Sequence, residues 1–526
     1  MSEAPEQEIF PRIKVKGWLT LASPLMVRTG EQERTAPDKD VEGAMKLAIE
    51  LDADGKPVIP ASAFKGIVRH QLASAFDRND ELAKEIDLLF GSLPVAARDG
   101  EDDSGTGGIF EFHNLRCGSG NMTAAVRERG STVIGAATRT AKRRLLRTME
   151  QVEAGTEFAF EVVGQRVTLD QAALLVAGLQ RAAREGALGS AGNAGNGEFR
   201  IKGLEVAPES NAEVTAWFLG GALKEEEQDA IDAWRKKKQR EILELAEGYG
   251  EAATSARDPL CIEIVLEFDG PFLVAEARPD SGTGEPDITP YGAPREGFES
   301  MLPKGTAVLP GSSFRGALSS QCKRIYRTLA RKAVTLREES GACGTPIERL
   351  FGKTGWAGRL RLSDFTLIDD RPLVTREMVA IDRFTGGARD AAKFSIQVID
   401  RPRLCGHVEL ETRDRVHPAA SGKRPVGVEQ ASLEDGDVGL LALALRDLAE
   451  GDVTLGYGAT KGFGHCRIVS LRVVEAGANE DIAEALSALS RLVERGEAKQ
   501  ANQRSDRLAA LVAAFRSSVT PQEATG

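Results

Sequence analysis

A chain of 526 residues with 41% hydrophobic and 28% charged residues reads as a soluble globular protein of two or three domains. A formal net charge of −11 argues against a surface that binds nucleic acid everywhere, and no uninterrupted run of about 18 apolar residues offers a membrane span. Six scattered cysteines without a CxxC pair, and an N-terminus lacking a basic region and an apolar core, point to a reducing cytoplasm.

In chain order, KVKGWLTLASPLMV (14–27) has the alternation of a strand. A long polar excursion follows at 28–56, with one apolar island, MKLAIELD. Pro60 precedes ASAFKGIVRHQLASAFDR, whose apolar spacing predicts a helix with Ser62 as its N-cap. IFEFHNL (109–115) and EFAFEVVG (157–164) read as strands, separated by a polar loop and the basic run RTAKRRLLR. LDQAALLVAGLQRAAREG (169–186) is a helix ending near Gly186, followed by GSAGNAGNG and a strand, FRIKGLEV. The charged stretch 222–247, which includes KEEEQDAIDAWRKKKQREILELAE, predicts a helix that either bridges two units or forms an insertion.

The same order then restarts. LCIEIVLEFDGPFLVA (260–275) is a strand, 276–304 is a polar excursion, and a helix runs from Ser312 through CKRIYRTLARKAV. GRLRLSDFTLI (358–368) and HVELETRD (407–414) are strand-like, with VAIDRFTGGARDAAKF (379–394) read as a loop between them. LLALALRDLAEGDV (440–453) is a helix leading into a second glycine-rich turn, 478–495 is a terminal helix, and SSVTPQEATG is a mobile end. The repeat is visible in the residues. VIPASAFKGIVR matches VLPGSSFRGALS, and LGSAGNAGNGEFRI matches LGYGATKGFGHCRI. Two large units of one design are expected, over residues 12–219 and 259–475, with 220–258 as charged linker or insertion and 476–526 as helix and tail. The order of elements predicts an α+β fold, with helices packed on a largely antiparallel sheet.

Both repeated elements have a structural reading and a functional one. Pro can limit the helix entrance, the aromatic can pack, and Gly66 or Gly316 can permit close approach. Alternatively, first-turn amides with Ser62, Ser312 and Ser313, and the cations Lys65 and Arg315, can hold phosphate. The glycine turns lack the spacing of a P-loop, and Lys461 is their best phosphate contact. Arg139, Lys142, Arg143, Arg144 and Arg147 form one basic cluster, and Lys323, Arg324 and Arg327 another; each is either a solvated face or a backbone-phosphate site. No HExxH, GxSxG or zinc spacing occurs, and the five histidines are scattered. Loop carboxylates remain as catalytic candidates, Asp38 and Asp40 in the first excursion and Asp280 and Asp287 in the second. Asp382 and Asp390 are alternatively ion-pair partners of Arg383 and Arg389.

The pattern resembles the RAMP superfamily, specifically backbone subunits of type III CRISPR effector complexes. PASAFKGIVR and PGSSFRGALS resemble its Pro-Gly-Ser-Ser-Phe-Lys-Gly-x-x-Arg element, whose last residue falls on Arg69 in the first unit. VAIDRFTGGARDAAKF resembles its central loop, and YGATKGFGHCRI its closing glycine element. The first unit carries a weaker central loop, GAATRTAKRRLL, around Thr138 and Arg139. The resemblance implies two tandem modified ferredoxin-like (RRM-like) RAMP domains with long inserted loops. It implies backbone contacts to a CRISPR guide RNA, with Arg383, Phe384 and Thr385 on a thumb that interrupts pairing with a complementary target RNA. Other RAMP backbone subunits and the large and small subunits of the complex are the implied partners. An aspartate among Asp38, Asp40, Asp280 and Asp287 is implied to cut target RNA with Mg²⁺ or Mn²⁺. The alternatives are a scaffold that binds without cutting, and a metal-independent guide-processing ribonuclease, which the poor histidine inventory disfavours.

Overall fold

The computed structural model describes residues 8–34, 45–76, 80–92, 106–118, 126–131, 147–220, 224–254, 259–277, 288–290, 308–330, 345–353, 356–412, 433–476, 479–498 and 505–519. The first unit contains β1 (Ile9–Leu21), β2 (Arg28–Arg34), β3 (Met45–Ile49), β4 (Val58–Ile59), α1 (Ala61–Ala75), α2 (Asp80–Phe90), β5 (Phe110–Phe112), β6 (Leu115–Cys117), β7 (Val126–Ser131), β8 (Arg147–Val152), β9 (Glu157–Thr168), α3 (Leu169–Glu185) and β10 (Phe199–Glu209). Helices α4 (Asn211–Phe218) and α5 (Glu225–Thr254) follow. The second unit contains β11 (Leu260–Phe268), β12 (Pro271–Phe272), β13 (Ala275–Ala277), β14 (Ile288–Pro290), β15 (Val308–Leu309), α6 (Gly311–Ala330), α7 (Pro346–Phe351), β16 (Gly352–Lys353), β17 (Trp356–Ala357), β18 (Leu360–Leu362), β19 (Phe365–Leu367), β20 (Leu373–Ile381), β21 (Ala388–Asp400), β22 (Arg403–Leu410), α8 (Asp435–Ala449) and β23 (Cys466–Glu475). Two helices, α9 (Glu480–Glu494) and α10 (Asp506–Val519), close the described chain.

The repeat extends to strand order. The main sheet of the first unit runs β10-β1-β9-β6-β4, and that of the second β23-β11-β22-β19-β15. Each is antiparallel, with the two major helices of its unit supplying the apolar cover. Strand, helix, strand, strand, helix, strand in this order is consistent with a ferredoxin-like core. Beside it stands a smaller sheet, β2-β3-β8-β7 in the first unit and β13-β14-β21-β20 in the second, each with one parallel pair. Thr168 and Gln171 form a capping box that starts α3, and α1 and α6 each bury one aromatic, Phe64 and Phe314, under the sheet.

Four expectations change, and one alternative left open is decided. The segment 379–394, read as a loop, belongs to the β20–β21 hairpin, because its residues pair across a two-stranded ladder with only Asp382–Gly387 left at the turn. Ser62 is not the N-cap: α1 starts at Ala61 after Pro60, and Asn114 Oδ1 accepts the Ala61 N–H at 2.8 Å. Asn114 can do so because IFEFHNL is two strands broken at His113–Asn114; Asp364, at the matching break, accepts the Gly311 N–H at 2.7 Å. The charged α5 lies against the first unit, burying Ile242 and Ala246 and setting Trp234 edge-on to Phe10. Finally, the C-terminal region holds a second helix, α10, whose Leu508, Leu511, Val512 and Phe515 complete the core of the second unit.

The two units meet at one joint. The first unit's glycine turn, a single 3-10 turn at Gly192–Ala194, lies against β18 and the start of α6. A Cβ on Gly311 would stand 2.7 Å from the Ala194 carbonyl oxygen, and one on Gly195 would stand 2.8 Å from the Leu362 oxygen. Glycine is therefore required on both sides of this contact. Arg361 donates to the Glu185 carbonyl at 2.8 Å and to the Gly186 carbonyl at 3.4 Å, at the end of α3, and pairs with Glu198 at 3.3 Å. Arg129 of β7, buried, donates to Ser312 Oγ at 2.6 Å.

Candidate nucleic-acid interface

Helices α1 and α6 present the same exposed stripe. Phe64 and Val68 point inward in one, Phe314 and Leu318 in the other, which leaves Gly66 and Gly316 on the outer face. An added Cβ at either glycine would meet nothing within 4 Å. Gly66 and Gly316 do not serve close packing inside the protein, contrary to the packing reading of the sequence. They leave bare helix backbone open to a ligand. Ser62 is exposed beside Gly66, while Ser312 and Ser313 are half-buried, Ser312 being covered by Arg129 across the joint.

The cations on this stripe differ. Lys65 is half-buried on α1, and Arg69 pairs with Asp87 at 2.6 Å. Arg315 turns inward: it donates to the Leu360 carbonyl at 3.1 Å and to the Phe351 carbonyl, and lies 5.4 Å from the Phe351 ring centroid. Burial pulls its pKa down from the ordinary arginine value. The guanidinium ties α6 to α7 and β18, so its described contacts are structural. Lys323 is half-buried, and burial, with Arg327 beside it, lowers its ammonium pKa.

The second glycine turn supplies an outward cation. Lys461 is exposed, 2.8 Å from Tyr457 Oη, and its ammonium stands over the rings of Tyr457 and Phe394 at 4.8 and 5.0 Å. Phe394 belongs to β21, and Leu273, Ile396, Val398 and Phe463 form a small core beneath. That core fixes the hairpin stem against the glycine turn. At the hairpin tip Phe384 is 100% exposed, flanked by exposed Arg383 and Thr385. Asp382 Oδ1 accepts the N–H groups of Phe384 and Thr385 at 2.8 and 3.0 Å. Those donors, Thr385 first, hold the Asp382 carboxyl below its usual range. Asp382 thus organises the turn through backbone donors. An exposed aromatic on a braced hairpin is suited to stacking on a base.

Arg139, Lys142 and Arg143 lie outside the described residues, as do Asp38, Asp40, Asp280 and Asp287. Among the described residues no group of three or more His, Cys, Asp or Glu side chains could hold a metal ion. Burial pushes the thiols of Cys261 and Cys466 up to about 12, leaving them protonated. Among the described residues no helix is long and apolar enough to cross a membrane.

Sequence reasoning missed Asn114 and Asp364. Their signal was the polar pair interrupting each strand, His113–Asn114 and Ser363–Asp364, at matching places in the repeat. Arg129 and Arg376 were missed as well. Val126–Val152 and Leu373–Ile399 are matching cross-strand pairs, and three residues further on Arg129 faces Met149 as Arg376 faces Ile396.

Comparison with known proteins gives a family. The profile of the RAMP superfamily matches residues 18–200 and 295–467, one segment in each unit and together more than half of the chain. No curated protein matches. Among solved structures, a chain from the cryo-EM structure of a type III-B Cmr-beta bound to cognate target RNA is similar at 16% identity and a TM-score of 0.28. The similarity covers 38% of this chain and 61% of that one, less than two thirds of its length.

Proposed function

The chain belongs to the RAMP superfamily, and from that premise we propose that it is an RNA-binding double backbone subunit of a type III CRISPR effector, holding guide RNA along both units. The observation that carries this reading is the duplicated bare stripe at Gly66 and Gly316, where space is left open on two equivalent helices. Lys461 adds an exposed cation in the second unit, and the Phe384 tip adds a stacking face. The helix stripe and Lys461 suit contacts to sugar and phosphate, and a ring can stack on any base, so these contacts tolerate any guide sequence; the guide's bases then select the complementary target. The neighbours in such an assembly are other RAMP subunits and the large and small subunits of the complex.

Binding of a labelled single-stranded RNA to the purified full chain tests the proposal. Gly316→Glu and Lys461→Glu are each expected to weaken binding about tenfold, the scale of one lost charge-assisted contact, with the thermal midpoint retained. Unchanged affinity in both variants, each shown folded, would sink it. Cleavage is read separately. The assembled complex, complementary RNA and Mg²⁺ or Mn²⁺ are compared with Asp38→Ala, Asp40→Ala, Asp280→Ala and Asp287→Ala. Position-specific cuts lost in one variant would add endoribonuclease activity; an uncut, bound target leaves a scaffold.

A further inference from the structure

The joint between the units is heterologous. The first unit contributes its glycine turn, the end of α3 and β7; the second contributes the start of α6, β18 and Asp364. Because the units repeat, each outer end of the chain carries the counterpart of one of these faces, and a second copy is the first occupant to consider. We infer that the joint is private to the chain: its outer faces reject a second copy.

Three substitutions between the repeats carry this. First, Ala61 stands where the second unit has Gly311. In the joint, a Cβ at Gly311 would lie 2.7 Å from the Ala194 oxygen of the first unit, a backbone atom, so the obstruction does not yield to a side-chain rotation. The methyl of Ala61 fills the place that the incoming glycine turn needs. Second, Lys461 stands where the first unit has Ala194, which is 8% exposed at the joint. A second copy docking in this way would have to cover an ammonium that now sits in solvent over Tyr457 and Phe394, and burying it uncompensated is costly.

Third, Glu111 stands where the second unit has Arg361. Arg361 is favourable because its cation meets the carbonyl end of α3 and the carboxylate of Glu198. In a joint between copies, Glu111 would face the end of α8, where Glu450 and Asp452 follow, and His465 would stand in for Glu198. A carboxylate directed at helix carbonyls and acids is repelled. One contact survives translation, that of exposed Arg376 with exposed Ser62. Arg376 is held by Asp400 at 3.3 Å, and a single polar contact does not outweigh a steric block, a buried cation and a reversed charge.

Protein docking alone is at issue, so RNA-free chain suffices, and a failure to bind RNA would leave the inference untouched. Sedimentation velocity across a wide concentration range is expected to show the wild-type chain as a monomer. The variant Ala61→Gly/Glu111→Arg/Lys461→Ala is expected to self-associate as concentration rises. Adding Ser62→Cys and Arg376→Cys should then give disulfide-linked oligomers in that background and none in the wild-type background. Self-association of the wild-type background with that crosslink would overturn the inference, as would a triple variant that is folded by circular dichroism and stays monomeric. Should the triple variant misfold, Gly311→Ala decides, because it places the same block inside the chain. Its two units should unfold in separate steps, and a single unchanged transition would count against the steric argument.

Discussion

Asp364 accepts the Gly311 N–H inside the joint, and burial pushes its carboxyl up to about 6, against the opposing pull of that N–H and of Arg129. A carboxyl whose folded pKa is raised is most stabilising when protonated. Its contribution is complete below the unfolded value, about 3.9, and is lost as pH rises through about 6. Asn114 does the same capping work in the first unit without a charge. Asp364→Asn is therefore expected to unfold at a higher temperature than wild type at pH 8, the difference closing toward pH 4. Scanning calorimetry at the two pH values reads this directly. A variant less stable than wild type at pH 8 would mean that the attraction of Arg129 outweighs desolvation.

At the scale of elements, α1 and α6 combine an inward aromatic with an outward glycine. Phe64 rests near Phe112, Phe160 and Phe199, and Phe314 lies 4.5 Å from Phe365. Truncating either ring to alanine is expected to cost about 3–5 kcal/mol, measured by denaturant unfolding. The outward glycines should behave oppositely. Gly316→Ala meets open space and replaces the poorest ordinary helix former, so about 0.5–1 kcal/mol of stabilisation is expected. A destabilised Gly316→Ala would show that the face is packed in solution. The β20–β21 hairpin follows the same division: its stem is braced by Ile396 and Val398, and its tip stands free.

Over the whole molecule, an acidic chain is proposed to hold RNA through a few local cations. Net charge of −11 sets a repulsive background, so attraction must come from short-range contacts such as Lys461. RNA affinity is expected to fall steeply with added salt, and Lys461→Ala should reduce the log–log slope by about 0.7–1. A slope unaltered by that substitution would remove Lys461 from the phosphate contacts.

The paired motifs by themselves determined that the chain contains two units of one design, because Phe64 and Phe314, and the glycines of both turns, are constraints that a local stretch of chain imposes on itself. Periodicity likewise located α3 and α8, whose apolar faces are continuous in sequence. Local patterning could not distinguish a hairpin from a loop at 379–394, since its outer residues are exposed on both faces and leave no alternation to read. Nor could it show that Arg315 turns inward while Lys461 turns out, or that Ala61 and Gly311 differ in consequence. Those outcomes depend on which carbonyls and rings lie opposite each side chain, within the second unit for Arg315 and Lys461 and across the joint for Gly311, and partners distant along the chain become neighbours only when the sheets and their helices have packed.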